Sequence, residues 1–290
     1  MSYTSLVLVI LAAITHASWN LLAKRAAMVG PTFIFAYGLC ATLLYAPWVM
    51  WTLLYEDMLW TGPIVLCILI SGLLHLAYNL CLQRGYQVAD LSVVYPIARG
   101  TGPLLSTLGA FLLLNEPATL TGVAGMLCVV TGVALIATQG RLTLFRQPHA
   151  WVGVRWGLTI GVCIAAYTVV DAYGVKTLLI APVLFDWFTG ITRTVIMSPY
   201  IVKQGAKGWK AMQGHWHLAW AVGLLSPLGY ILVLYALSSG APLSLVAPAR
   251  EMSMMLGTLA GMYLLGEKIS VGRLAGCATI LVGVVLLGSS

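Results

Sequence analysis

The sequence predicts an all-α integral membrane protein, with ten transmembrane helices arranged as two inverted five-helix repeats. Three observations predict it. Only 8% of the 290 residues are charged and 60% are hydrophobic, whereas about a quarter of a soluble domain is charged. The apolar residues fall into blocks of about 20, the length that crosses a hydrocarbon core as a helix; a β-barrel would show alternating segments of about ten. The second half of the chain also repeats the first at an offset of about 151 residues.

In chain order the spans are 3–23, 31–54, 61–83, 90–114, 119–138, 151–173, 180–203, 214–238, 242–265 and 270–288. The first, in SYTSLVLVILAAITHASWNLLAKR, reads as a retained helix. Its apolar run is too long for a cleaved leader, no basic segment precedes it, and its lysine and arginine follow it. Polar or turn-forming stretches separate the others, among them YEDMLW, NEPA, QGRLTLFRQPH, KQGAKGWKAMQGH and GEKIS. None is long enough to fold as a soluble domain. The fourth and ninth spans are irregular. VVYPIARGTGP, residues 93–103, places two prolines, two glycines and an arginine inside an apolar run, and LVAPAREMS, residues 245–253, is a near-copy. Pro96, Pro103 and Pro248 each remove a helical hydrogen bond, so both copies are expected to bend at a shared cavity. Irregular backbone at membrane depth persists only where protein or water satisfies it.

The repeat aligns Asn20 with Asp171, Arg25 with Lys176, Pro31 with Pro182, Arg99 with Arg250 and Glu116 with Glu267. ADLSVVYPIAR matches APLSLVAPAR with one residue inserted, and LLLNEPATLTGVAGMLCVVTGVALI matches LLGEKISVGRLAGCATILVGVVLL. Self-similarity over such lengths marks two copies of one unit, expected at residues 1–139 and 151–290. Five spans are an odd number, so the second copy enters the membrane upside down. Inverted repeats of this kind belong to secondary transporters, with the substrate site near the midplane where the repeats meet.

Two five-span repeats, each closing on LLLNEP or LLGEK followed by a glycine-rich last helix, resemble the EamA group of the drug/metabolite transporter superfamily. The resemblance covers nearly the whole chain. It implies a carrier, and relatives move amino acids, drugs, nucleotide sugars or phosphorylated metabolites. HASWNLLAK also resembles permeases linked to phosphonate use. In the related plastid phosphate translocators, basic residues on the fourth and ninth spans hold the substrate phosphate, and Arg99 and Arg250 lie on those spans.

Read from the residues, Arg99 and Arg250 sit about nine and eight residues into their spans, too deep to reach an interface. Two readings compete. Either both guanidinium forks bind an anion, or they make structural ion pairs, for instance Arg250 with Asp171 or Asp186. Tyr95, Asn20, His75, Tyr78 and Glu251 are expected at the substrate site beside them. For His75 a helix–helix hydrogen bond competes with ligand contact. Asp171, Asp186 and Glu251 are the proton-coupling candidates, with pairing to Arg99, Arg193 or Arg250 as their competing use. Glu116 and Glu267 close their spans and read as structural.

The remaining features have plain explanations. The cysteines lie in apolar segments without CxxC pairing and read as packing thiols. His215 and His217 sit among Trp209, Trp216 and Trp220, an aromatic belt and not a metal site. Gly153, Gly157 and Gly161, then Gly257 and Gly261, then Gly272 and Gly276, have the spacing of close helix packing, and a monomer suffices. No Walker, HExxH, GxSxG or CxxC motif occurs, so an enzyme, a metal, a cofactor and direct use of ATP are not expected. The net charge of +7 sits in short loops and speaks for cytoplasmic loops, not nucleic acid. The expected partners are the bilayer and a small, anionic molecule.

The expected function is secondary transport of a small organic anion, phosphorylated or phosphonate-like among the candidates, by alternating access in the cell (inner) membrane. The alternatives are export of amino acids or drug-like metabolites, with structural arginines, and flipping of lipid head groups. Orientation divides the two kinds of argument. Lys24, Arg25, Arg84, Arg141, Arg146, Lys203, Lys207, Lys210 and Lys268 fall on the side opposite the termini, against Lys176 on theirs. The charge rule therefore puts both ends outside. The family's usual arrangement, by resemblance, puts both in the cytoplasm.

Overall fold

The structure is a computed structural model that describes residues 2–56, 58–89, 91–140, 150–265 and 270–289. Among them are eleven α-helices and no strand: α1 (Tyr3–Arg25), α2 (Pro31–Tyr55), α3 (Gly62–Val88), α4 (Leu91–Leu113), α5 (Leu120–Thr138), α6 (Ala150–Lys176), α7 (Pro182–Ala211), α8 (Trp216–Ser238), α9 (Leu243–Ala249), α10 (Met252–Leu265) and α11 (Val271–Ser289). Local signals set the ends. Pro31 opens α2 directly after Gly30, whose φ of 74° turns the chain where a side chain would be strained. Thr119 caps α5, its hydroxyl accepting the Gly122 N–H at 3.1 Å.

Seven helices are long and apolar enough to cross a membrane: α1, α2, α3, α5, α6, α8 and α11. Many of their outward side chains are hydrocarbon, with Leu43 64% and Leu54 73% exposed. The other four, α4, α7, α9 and α10, carry the internal arginines or flank the break beside Arg250.

The two copies of the proline–arginine segment differ in continuity. Helix α4 runs unbroken through Pro96 and Pro103, whereas its counterpart divides into α9 and α10 at Arg250–Glu251. There the hydrogen bonds tighten to three-residue steps, Glu251 N–H to Pro248 O at 2.9 Å and Ser253 N–H to Arg250 O at 3.2 Å. Packing accounts for the difference. Val93, Ile97 and Thr101 of α4 lie directly on Gly153, Gly157 and Gly161 of α6, a contact that supports α4 through this stretch. The repeat-equivalent positions on α1 are Ser2, Leu6 and Ile10, and they offer α10 no such groove.

The principal contacts mirror one another through the repeat. α5 packs on α11, α2 on α7 and α4 on α9; α3 on α6 is matched by α8 on α1, and α3 on α7 by α8 on α2. The α5–α11 contact is the tightest. A Cβ on Gly132 would lie 2.7 Å from Gly276 O, and one on Gly276 2.7 Å from Gly132 O.

One end of the bundle is tied by Glu116, in the connection after α4. Its carboxylate accepts from Lys176 Nζ at 2.7 Å, Leu243 N–H at 2.7 Å and Ser244 N–H at 2.9 Å, while Lys176 also donates to Ala241 O at 3.2 Å. Burial pushes the Glu116 carboxyl up, but Lys176 and the two N–H groups together hold it below the usual carboxylate range. Glu116 thus has the structural place expected for it; Glu267 lies outside the described residues. Beneath this tie Val175, Ile180, Phe185, Leu237 and Leu243 are almost completely buried, so this end of the molecule is sealed. At the opposite end, Thr32 Oγ1 donates to Gln204 Oε1 at 2.8 Å.

Candidate functional site

A cavity of about 160 Å³ lies at the centre of the bundle, with walls from α1, α2, α3, α4, α6, α7 and α8 and from Arg250 at the α9–α10 break. Of the residues expected at a site, Arg99, Arg250, Asn20, His75, Tyr78 and Asp186 line it. Tyr95, Glu251 and Asp171 are not on the lining: all three stand behind it and act on residues that are.

Glu251 is 1% exposed and meets Arg99, its carboxylate Oε2 lying 2.8 Å from Nε. Arg99 also reaches Ser253 Oγ at 3.5 Å, and its guanidinium stands 6.0 Å from the Tyr95 ring centre, a cation–π separation. The pairing of Arg250 with Asp171 or Asp186, one of the sequence readings, does not occur. Because α9 ends where Glu251 begins, this carboxylate turns toward α4 and Arg250 turns into the cavity. Arg250 is 4% exposed and lines the cavity. Among the described residues no carboxylate lies within ion-pair distance of it, and no hydrogen bond holds its guanidinium. Tyr167, Glu251 and Tyr230 act on it only through space. The Trp19 indole N–H is likewise buried without an acceptor.

Asp171 is 1% exposed and anchors the opposite wall. It accepts from Ser71 Oγ at 2.6 Å and from the Tyr230 hydroxyl, and it meets His75 Nε2 at 2.9 Å. His75 therefore makes the expected helix–helix contact and also faces the cavity. Its ring stacks on Tyr167 with centres 4.0 Å apart, and Tyr78 meets Tyr167 edge-on at 5.6 Å. Asn20 donates to His16 O at 2.7 Å within its own helix. Asp186 lines the cavity and interacts through space with Arg193, two turns further along α7.

Sequence reasoning missed Tyr167, Tyr230 and Trp187. A signal existed for two of them: the repeat offset places Tyr167 on His16 and Tyr230 on Asn79, both polar residues inside apolar spans. Trp187 falls on Ala36 and carries no such mark. Among the described residues no three His, Cys, Asp or Glu side chains cluster as a metal site.

Apolar helices turned outward around a polar cavity lined by charged side chains are the architecture of a membrane transporter. The chain belongs to the EamA-like transporter family, whose model matches residues 4–138 and again 151–289. It is accordingly a multi-pass membrane transporter. A solved structure described as "Crystal structure of protein" shares the fold at a TM-score of 0.74, with 18% identity over 99% of this chain and 96% of that one. No curated protein matches the chain.

Proposed function

We propose that the protein is a secondary transporter that carries a small organic anion across the cell (inner) membrane by alternating access. Its ten membrane-crossing segments form two inverted five-helix repeats, residues 1–139 and 151–290, with α9 and α10 together serving as the ninth. The sharing of bundle ends supports this topology. Glu116, Lys176 and Ala241 follow the fourth, sixth and eighth segments and meet at one end, while Thr32 and Gln204 adjoin the first and seventh connections and meet at the other.

The observation that carries the substrate reading is Arg250, a buried guanidinium in the cavity wall with no counter-charge of its own. An unpaired charge at membrane depth is costly, and an anionic ligand supplies the missing partner. Arg99 is different: Glu251 and Tyr95 hold it, so it offers its remaining N–H groups at a fixed place. Asn20, His75 and Tyr78 supply further polar contacts. Asp186 on the lining, Asp171 behind His75 and Glu251 behind Arg99 are the groups through which protons can couple to transport. The partners are the lipid bilayer and the anion, with no role for nucleic acid.

Binding by the purified protein to a panel of carboxylates, phosphonates, amines and neutral amides tests the reading. Anions should bind, and Arg250→Gln should lower their affinity by at least about a hundredfold, since stranding one member of a buried charge pair costs roughly 3–5 kcal/mol. Binding of amines or amides alone would overturn it.

A further inference from the structure

We infer that the transported anion is a flat aromatic monoacid, an arene bearing a single carboxylate; this rests on the reading of the central cavity as the substrate site. Two independent features of the cavity lead there.

The first is charge. Three guanidinium groups line the cavity, those of Arg99, Arg193 and Arg250. Arg99 is in contact with Glu251 at 2.8 Å, and Arg193 shares α7 with Asp186 and interacts with it through space. Asp171 is held by Ser71, His75 and Tyr230 on the far side of the wall. Against three guanidinium groups stand two carboxylates, Asp186 on the lining and Glu251 behind Arg99, so one positive charge is in surplus. Arg250, the more deeply buried of the two arginines that no carboxylate contacts among the described residues, is where we place it. Two opposed forks would suit a phosphate or phosphonate dianion, but Arg99 is already neutralised by its neighbour, and a second ligand charge would be desolvated without a partner. A carboxylate matches the planar fork of Arg250 in both charge and geometry.

The second feature is the composition of the walls. Ile231 is the one branched hydrocarbon side chain among the described lining residues. Rings take the place that aliphatic side chains hold in an ordinary apolar pocket. Tyr78, Tyr167 and Tyr230 form one wall, with His75 stacked on Tyr167 at 4.0 Å and edge-on to Tyr230 at 5.5 Å. Trp19 and Trp187 supply ring surface on α1 and α7. Ring walls favour a ring guest, because offset-stacked and edge-on arrangements match the quadrupoles of both partners. An aliphatic acid of the same size fills the same volume without that match.

The test is calorimetric titration of the protein in lipid nanodiscs at mildly alkaline pH with benzoate, cyclohexanecarboxylate, phenylphosphonate, phenylalanine and benzylamine. Benzoate should bind at least about tenfold more tightly than each of the others. Arg250→Gln should remove its binding without lowering the melting temperature. Arg250→Lys, which keeps the charge and loses the fork, should fall between. Equal affinity for cyclohexanecarboxylate would overturn the aromatic claim, and tighter binding of phenylphosphonate the single charge; in both cases the anion reading survives. Tighter binding of phenylalanine, or no benzoate binding at millimolar concentration, would also overturn the inference. Binding of benzylamine with no anion bound would sink the anion reading as well.

Discussion

Arg99 and Arg250 occupy equivalent positions in the repeat, yet their neighbours give them different work. Arg99 meets a carboxylate that is 1% exposed, at 2.8 Å, so Arg99→Gln strands Glu251 in the bundle. We expect a loss of about 3 kcal/mol, the low end for a broken buried pair, because the Arg99 side chain keeps 19% exposure. Adding Glu251→Gln should recover most of it, as read by thermal unfolding in detergent. Arg250→Gln strands nothing among the described residues, so the melting temperature should hold or rise while anion binding disappears. The arginines themselves were legible, because a proline–arginine pair twice interrupts apolar sequence. Which acid serves which arginine was not. Three acids, Asp171, Asp186 and Glu251, and three arginines, Arg99, Arg193 and Arg250, lie deep in the spans, and only the break at Arg250–Glu251 turns Glu251 toward α4.

At the scale of elements, two contacts carry the bundle and each makes a prediction. In the α5–α11 contact the glycines leave no room for a methyl group, since a Cβ on Gly132 or Gly276 would lie 2.7 Å from backbone oxygen. Gly132→Ala and Gly276→Ala should each cost about 1–3 kcal/mol by overpacking. The double variant should cost less than the sum, because both clashes fall in one place. The Glu116 tie predicts a pH dependence. Lys176 and the amides of Leu243 and Ser244, against the upward push of burial, hold this carboxyl below its ordinary value. The stability it contributes is therefore fully present above the unfolded-state value of about 4.3 and is lost as pH falls through the lower folded value. Melting temperature should show no pH dependence from this group between neutrality and about pH 5, and Glu116→Gln should lower it there while removing this group's share of the acid-side decline. Seven helix positions were legible from apolar run length, and the close contacts of Gly153, Gly157, Gly161, Gly272 and Gly276 from their spacing, whereas Gly257, read the same way, has nothing near it. The asymmetry between α4 and α9–α10 was not legible, since it depends on what the facing helix offers, Gly153 and Gly157 in one case and Leu6 in the other.

At the scale of the whole molecule, the proposed alternating-access cycle takes the Glu116 end as closed and the central cavity as the binding site. The proposed proton coupling would run through Asp171, Asp186 or Glu251. Of the variants Asp171→Asn, Asp186→Asn and Glu251→Gln, at least one should abolish pH-driven accumulation of the anion while leaving anion-for-anion exchange intact. If all three still respond to the gradient, the carrier is an exchanger or a uniporter. The charge rule predicts both chain ends outside the cytoplasm, against the arrangement the family resemblance implies, and on that prediction a C-terminal reporter active only in the cytoplasm should stay silent. The repeat and the fold class were legible because composition and self-similarity extend over the whole chain. The aromatic character of the cavity was not, because tyrosine and tryptophan are equally at home at a membrane interface, and only the folded bundle turns Tyr167 and Tyr230 inward. The central claim, that Arg250 is where the substrate's negative charge is bound, is tested most directly by counterflow in proteoliposomes, with labelled benzoate and labelled phenylphosphonate run in parallel. The wild-type protein should transiently accumulate one of these labels against unlabelled anion, and a folded Arg250→Gln protein should accumulate neither. Counterflow by Arg250→Gln at the wild-type rate would contradict the account.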